Sequence, residues 1–231
     1  MKLKLRSDFS DYYDHHFDRE GQVFERMSRT GMDRLAMLDT LYHEMRLPVP
    51  TYGPAKHAIG DGAAAKGEMW VVHQDPFAHR GEGKVVLAGS VIRERYDDDA
   101  TVVRYIEGAR GRSLRHLQVG NRAWLLTYES ANDWRSNCGD VTIRVGGTCH
   151  PMTRARWPLF AVDFVRDEDG ELYAVDLNTS PGLKGTGMEG ELKPAEVVRL
   201  IKAWVEQHPA DPSAGPSRVR AGREPGPPPT A

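Results

Sequence analysis

Residues 160–187 read FAVDFVRDEDGELYAVDLNTSPGLKGTG. Asp169-Gly170 is a two-residue hairpin signal between runs that suit strands. Counting outward from that turn, Asp163 and Asp176 are equidistant and face each other across the hairpin. Side chains alternate along a strand, so Asn178 shares the face of Asp176. The other face carries Val162, Phe164, Tyr173, Val175 and Leu177 and reads as core. Like charges directly opposite on a sheet repel, and a hard cation is the simplest way to offset them. Two carboxylates and an amide oxygen suit magnesium, which takes few protein ligands and completes its shell with phosphate and water. The plainer alternative is a solvated hairpin with two acids on its wet face. The Asn-Thr-Ser-Pro-Gly run straight after the second strand favours a site.

Outward from this hairpin, composition narrows the classes. The chain has 231 residues and a formal net charge of −2, enough for one good core or two small lobes. Without a global basic excess, bulk attraction to nucleic acid is not indicated. Cys138 and Cys149 form no metal-binding spacing, and two cysteines without a secretory signal suit reduced thiols in a cytoplasm. The first residues, MKLKLRSDFSDYY, lack the apolar run of a signal peptide, and no segment is long and apolar enough to span a membrane. The expectation is a soluble cytoplasmic protein. No internal repeat is visible.

Residues 1–29 read as a short strand, Met1 to Leu5, followed by the polar segment RSDFSDYYDHHFD at 6–18. His15, His16 and the nearby aspartates lack a clean ligand spacing, so a polar loop is favoured over a metal site. Thr30 to Arg46 is a helix candidate, with Met32, Leu35, Ala36, Leu38, Leu41, Tyr42 and Met45 at helical spacing before Pro48 and Pro50 stop it. Met69 to Val72 and Val85 to Leu87 read as strands around HQDPFAHRGEGK, residues 73–84. Glycines there allow backbone N–H groups to approach phosphate oxygens closely. Thr101 to Ile106 is a further strand, and Leu114 to Val119 pairs with Ala123 to Tyr128 through Gly120-Asn121. Lys193 to Gln207 is an amphipathic helix, and residues 208–231 form a Pro/Gly-rich tail of disordered composition.

Asp163, Asp176 and the DLNTSPGLKGTG run resemble the metal-binding end of the ATP-grasp superfamily. That superfamily includes D-alanine–D-alanine ligase, glutathione synthetase and the ribosomal-protein glutamate ligases, and the last are the most similar in motif. The second acid is usually Glu there and is Asp176 here. MDRLAMLDTLYHEMRLPVPTYG, at 32–53, resembles the start of such domains, where a helix leads to a short loop and a "pVP" strand. The resemblance implies an α+β ATP-grasp fold over residues 30–207, with two small α+β lobes and ATP between antiparallel sheets. It implies Asp163, Asp176 and Asn178 as metal ligands. It implies that Arg80, Gly81, Gly83 and Lys84 cover the triphosphate, and that the backbone of Val103, Arg104 and Tyr105 meets adenine. Arg115 and Arg135, the latter within Trp134-Arg135-Ser136-Asn137, are the implied catalytic arginines, suited by residue type to phosphate and acyl phosphate. His73 lies near the place of the family's phosphate-contacting lysine, which leaves Arg80, Lys84 and Lys66 as candidates to supply that charge.

The implied activity is an ATP- and Mg2+-dependent carboxylate–amine ligase working through an acyl phosphate. Its partners would be a small-molecule or peptide carboxylate and an amine acceptor. Relatives usually carry a whole α/β domain ahead of the ATP-grasp lobes, so the further expectation is either that the 6–18 segment serves as a reduced substrate platform or that a protein partner completes the acceptor site. A small-molecule kinase and a non-catalytic nucleotide-binding protein are the alternatives.

Overall fold

The computed structural model describes residues 33–74, 83–179 and 181–208. The readings made above for residues 1–32, Arg80, Gly81 and the tail beyond His208 lie outside them. Helix α1 (Arg34–Asp39) starts where the Asp33 side chain accepts a hydrogen bond from the Ala36 N–H at 2.7 Å. It continues into a wider turn, Thr40–Glu44, where the Met45 N–H reaches back five residues to the Thr40 carbonyl. The next strand is β1 (Tyr52–Pro54), later than the "pVP" position expected from resemblance. Short helices α2 (Ala55–Ala58) and α3 (Asp61–Ala65) lead to β2 (Met69–His73), β3 (Lys84–Ala88), α4 (Gly89–Arg95) and β4 (Thr101–Arg104). The larger sheet follows: β5 (Arg112–Val119), β6 (Arg122–Ser130), β7 (Val141–Cys149), β8 (Leu159–Arg166) and β9 (Leu172–Asn178). Helix α5 (Pro194–Gln207) closes the described chain.

The described strands form two antiparallel sheets, ordered β1-β4-β2-β3 and β7-β6-β5-β8-β9. One face of the larger sheet packs Leu117, Val119, Leu126, Leu159 and Ala161 against Val197, Leu200 and Ile201 of α5. Those helix residues recur at 3.6-residue spacing, as the sequence suggested. The opposite face packs Phe160, Val162, Ala174 and Leu177 against Met37, Leu38 and Leu41 of α1. The smaller sheet has its own core of Ala55, Ile59, Trp70, Val72, Ile92 and Val102. Val102 belongs to this core and its neighbour Val103 to the core beneath α1, so the alternation of β4 ties the two sheets together.

The β8–β9 hairpin differs from its sequence reading in two ways that cancel. The loop is not the two residues Asp169-Gly170. It spans Asp167 to Glu171, with the Asp167 N–H on the Glu171 carbonyl and Arg166 paired to Leu172. Asp167 is a turn former whose carboxylate also accepts from the Glu171 N–H at 2.8 Å, which favours the wider loop. That shifts the register by one. A bulge in β9 between the Phe164–Ala174 and Asp163–Asp176 pairs shifts it back, so Asp163 does stand opposite Asp176. The bulge also changes the faces. Val175 joins Asp176 on the cleft side, Tyr173 pairs with Val165, and Ala174, fully buried, fills the core position expected for them. Strand β7 was not foreseen: its glycines, Gly146 and Gly147, break the alternation that marks a strand.

Candidate active site

A cleft of about 830 Å³, open to solvent, lies where the two sheets face each other. Register explains its walls. His73 and Lys84 are direct partners on β2 and β3 and share the cleft face with Val71, two residues earlier. Across from them, Arg115, Asp163 and Asp176 are successive partners on β5, β8 and β9. They stand abreast in one row.

Both ends of that row are cationic. Arg115 grips Asp163 with Nε on Oδ1 at 2.6 Å and Nη2 on Oδ2 at 2.7 Å, while its Nη1 donates to the Tyr128 hydroxyl at 3.2 Å. At the other end Arg34 of α1 donates from Nη1 to Asp176 Oδ1 at 2.7 Å. The repulsion that the sequence poses between the two aspartates is thus answered by two arginines within the protein. Burial disfavours the Asp176 charge, but Arg34, Lys84 and Arg115 outweigh it and hold its carboxyl below the usual range. Burial likewise opposes the Arg115 charge, and Asp163 overcomes it, raising that guanidinium further. Lys84 is pushed down by burial and by Arg34, with Asp176 and Asp163 pulling the other way. His73 is buried and driven down to about 3, first by burial and then by Arg34 and Lys84, so it is neutral at physiological pH. Arg34, Arg115 and Lys84 against Asp163 and Asp176 leave one positive charge in excess, an environment that favours an anion.

Arg135 lines the same cleft on a segment pinned by several contacts. The Gly111 N–H donates to the Trp134 carbonyl at 3.0 Å, and a Cβ at Gly111, whose φ is +75°, would lie 2.4 Å from the Asp133 carbonyl oxygen. Only glycine allows that approach. Ser136 Oγ meets Ser113 Oγ at 2.6 Å. Asp133 holds the Arg135 guanidinium by a two-point fork at 2.9 and 2.8 Å, and that hydrogen bonding lowers the Asp133 carboxyl to about 2. Val71 and Val103 of the smaller sheet, Val165 and Val175 of the larger, and Ile106 and Ala109 between them make an apolar wall, and Tyr105 meets Trp134 edge-on at 5.8 Å. The N–H groups of Arg104 and Tyr105 are already given to the carbonyls of Thr51 and Met69, at 2.7 and 2.9 Å.

Of the residues singled out in the sequence, Lys84, Val103, Arg104, Tyr105, Arg135, Asp163 and Asp176 line the cleft. Gly83 precedes Lys84 and its carbonyl accepts from the Gln74 N–H at 2.8 Å. Arg115 is held beside Asp163 and is not among the lining residues. Asn178 falls one alternation beyond Asp176, opposite Ala161, and is not among the lining residues. Lys66 caps α3 and does not line the cleft either. Arg34 was missed. Its signal was present: Arg34, Met37, Leu38 and Leu41 follow helical spacing, so a charge occupies the buried stripe of α1.

The donor set accommodates a hard cation. A carboxylate offers about four lone-pair sites; Arg115 takes two from Asp163 and Arg34 one from Asp176. Among the described residues no group of three or more His, Cys, Asp or Glu converges, so any further ligands would be the Asn178 amide, water or phosphate oxygens. That suits magnesium better than a metal needing a full protein cage.

No protein-family model matches the sequence, and no curated protein does. Solved structures do. The ATP-grasp ligase PsnB complexed with minimal precursor aligns with a TM-score of 0.55 at 12% identity, over 83% of this chain and 66% of that one. PsnB complexed with a phosphomimetic variant of minimal precursor, Mg and ADP aligns with a TM-score of 0.52 at 13% identity, over 86% and 75%. A RimK domain ATP-grasp protein from Sphaerobacter thermophilus gives a TM-score of 0.45 at 20% identity, over 78% and 69%. The two antiparallel sheets and the alignment with PsnB give one conclusion: this chain has the ATP-grasp fold.

Proposed function

We propose that this protein is an ATP- and Mg2+-dependent carboxylate–amine ligase, with residues 30–207 as its catalytic unit. The observation that carries this reading is the row Arg115–Asp163–Asp176–Arg34 facing Lys84 and His73 across one cleft. It concentrates phosphate-binding and cation-binding groups beside an apolar wall. That a ligase of this fold, PsnB, is found with Mg and ADP supports the choice of ligands.

Lys84 takes the place of the family's phosphate lysine, because it is paired with His73 and shares its face. Gly83, with Arg80 and Gly81 ahead of it in the sequence, is assigned to the triphosphate. The apolar wall at Val103 to Tyr105 takes the adenine. Asp163, Asp176 and Asn178 are assigned to magnesium, which when bound neutralises phosphate charge during transfer. Arg115 spends three donor groups on Asp163 and Tyr128, so its role is to hold Asp163. Arg135, fixed by Asp133, faces the transferred phosphoryl group.

The reaction balances in two steps. A substrate carboxylate oxygen attacks the γ-phosphorus, the bond to the β-phosphate oxygen breaks and ADP leaves. An amine nitrogen then attacks the acyl carbon, the acyl C–O bond to phosphate breaks and the amine loses a proton. The carboxylate comes from a small molecule or a peptide, and the acceptor is an amine.

The test is magnesium-dependent phosphate release from ATP with pooled carboxylates and amines, against Asp176→Asn. Asparagine retains an oxygen for Arg34, whereas alanine would strand a buried guanidinium. Release that needs both substrates and disappears in the variant is expected. A stable phosphorylated product without free phosphate would mark a kinase instead. Nucleotide binding without turnover in any pool would mark a protein that reads nucleotide without chemistry.

A further inference from the structure

We propose that Arg34 is a positioning residue: it holds Asp176, and the bulge beside it, in the arrangement that accepts a divalent cation. This rests on the ligase reading above. Arg34 is only 8% exposed, and its Nε is buried with no hydrogen-bond partner among the described residues. A buried guanidinium with an idle donor is a poor packing element, and an apolar side chain of similar length would fill the space at lower cost. What the charge supplies is its hold on β9.

That hold is specific. Nη1 alone makes the contacts, to Asp176 Oδ1 at 2.7 Å, the Val175 carbonyl at 3.4 Å and Met37 Sδ at 3.3 Å. Met37 Sδ in turn accepts from the Leu177 N–H at 3.2 Å. One turn of α1 therefore grips three successive residues of β9. They are the residues at the bulge, where Val175 and Asp176 both come to line the cleft. The pair from Arg34 occupies Oδ1 and leaves Oδ2 as the oxygen for a cleft ligand.

Two roles make opposite predictions. If Arg34 acted only through its charge, removing it would strengthen the pull of Asp176 on a cation. If it positions Asp176, removing it weakens cation binding. Because every contact runs through one nitrogen, a lysine ammonium can replace them, while methionine matches the bulk without the donor.

The experiment is Mn2+ binding to the full chain with ADP present, read as free Mn2+ by electron paramagnetic resonance, with thermal melts to report folding. Arg34→Met should weaken Mn2+ binding about tenfold, the range for lost outer ligand support, and Arg34→Lys should stay within about threefold of wild type. Binding by Arg34→Met as tight as wild type or tighter would overturn the proposal. So would methionine serving as well as lysine. If Arg34→Met does not fold, Arg34→Lys decides: a loss beyond about tenfold overturns the role. Asp176→Asn separates the two readings. Wild-type binding that Asp176→Asn abolishes but Arg34→Met leaves intact sinks only Arg34. Absence of Asp176-dependent Mn2+ binding in wild type sinks the metal assignment and this proposal together.

Discussion

His73 carries a consequence that can be read in stability. It is buried opposite Lys84, and burial with two neighbouring cations drives its pKa from 6.5 to about 3. Below pH 6.5 the unfolded chain takes up a proton that the folded chain refuses, so the unfolded state binds more protons and stability falls as pH falls. The window runs from about 6.5 down to about 3. Between pH 6.5 and 5 the His73 contribution is about 1.5 kcal/mol by linkage. His73→Gln should therefore flatten this part of the profile by about that amount in urea unfolding at the two pH values. An unchanged slope would assign the acid sensitivity elsewhere, first to His116, which burial also pushes down. The acidic groups held low by cations, Asp176 and Asp133, lose their share as pH falls through the ordinary carboxylate range and below it, which leaves the interval from about pH 6.5 to 5 to histidine. At this scale the sequence was informative about residue type and uninformative about partnership. It marked Asp163 and Asp176 as facing acids. It gave no sign that Arg115 and Arg34 would be their counter-ions, since both pairings cross between elements far apart in the chain.

At the scale of elements, the hairpin shows why a right pairing can rest on a wrong turn. Period-two counting assumes an unbroken ladder, and a bulge plus a wider loop leave the far end in register while exchanging faces near the loop. Helix α5 was legible because it buries one stripe, and the β5–β6 hairpin because Gly120-Asn121 fixes its turn; α1 was legible as a helix, but Tyr42, counted in its stripe, is exposed and Met37 takes a buried place in it. β7 was not legible, since an edge strand with two glycines lacks the pattern. The segment after β4 shows an element-level constraint. A Cβ on Gly108 would meet Asp167 C at 2.6 Å and Arg166 O and Glu168 N at 2.8 Å. All three are backbone atoms, of the last residue of β8 and the first two of the loop after it, and cannot rotate away as a side chain would. Gly108→Ala should push the 3₁₀ turn Glu107–Ala109 off this loop and cost about 1–3 kcal/mol, the range for overpacking. Because Ile106 and Ala109 line the cleft, the same change should raise the KM for ATP. A urea midpoint and KM both equal to wild type would show that the loop yields freely.

Across the whole molecule, the cleft is the place where two separately packed sheets contribute to one surface. Lys84 and His73 come from the smaller sheet, Asp163 and Asp176 from the larger, and only Val103 on β4 belongs to both the cleft wall and the core beneath α1. A ligand that touches both walls binds the folded arrangement and not the unfolded chain. Mg2+ and ATP together, at about a hundred times the dissociation constant, should therefore add about 2.7 kcal/mol of stability. For a chain of this size that is a rise in melting temperature of about 5–10 °C. The informative quantity is the increment that magnesium adds to ATP alone. Under the proposed assignment it depends on the carboxylate row, so it should vanish in Asp176→Asn while the ATP-only increment, assigned to Lys84 and the apolar wall, persists. Differential scanning fluorimetry with ATP and EDTA, then with ATP and Mg2+, separates the two. Equal melting temperatures with and without magnesium in wild type would remove the metal from Asp163 and Asp176. No response to nucleotide in either condition would remove ATP from the cleft.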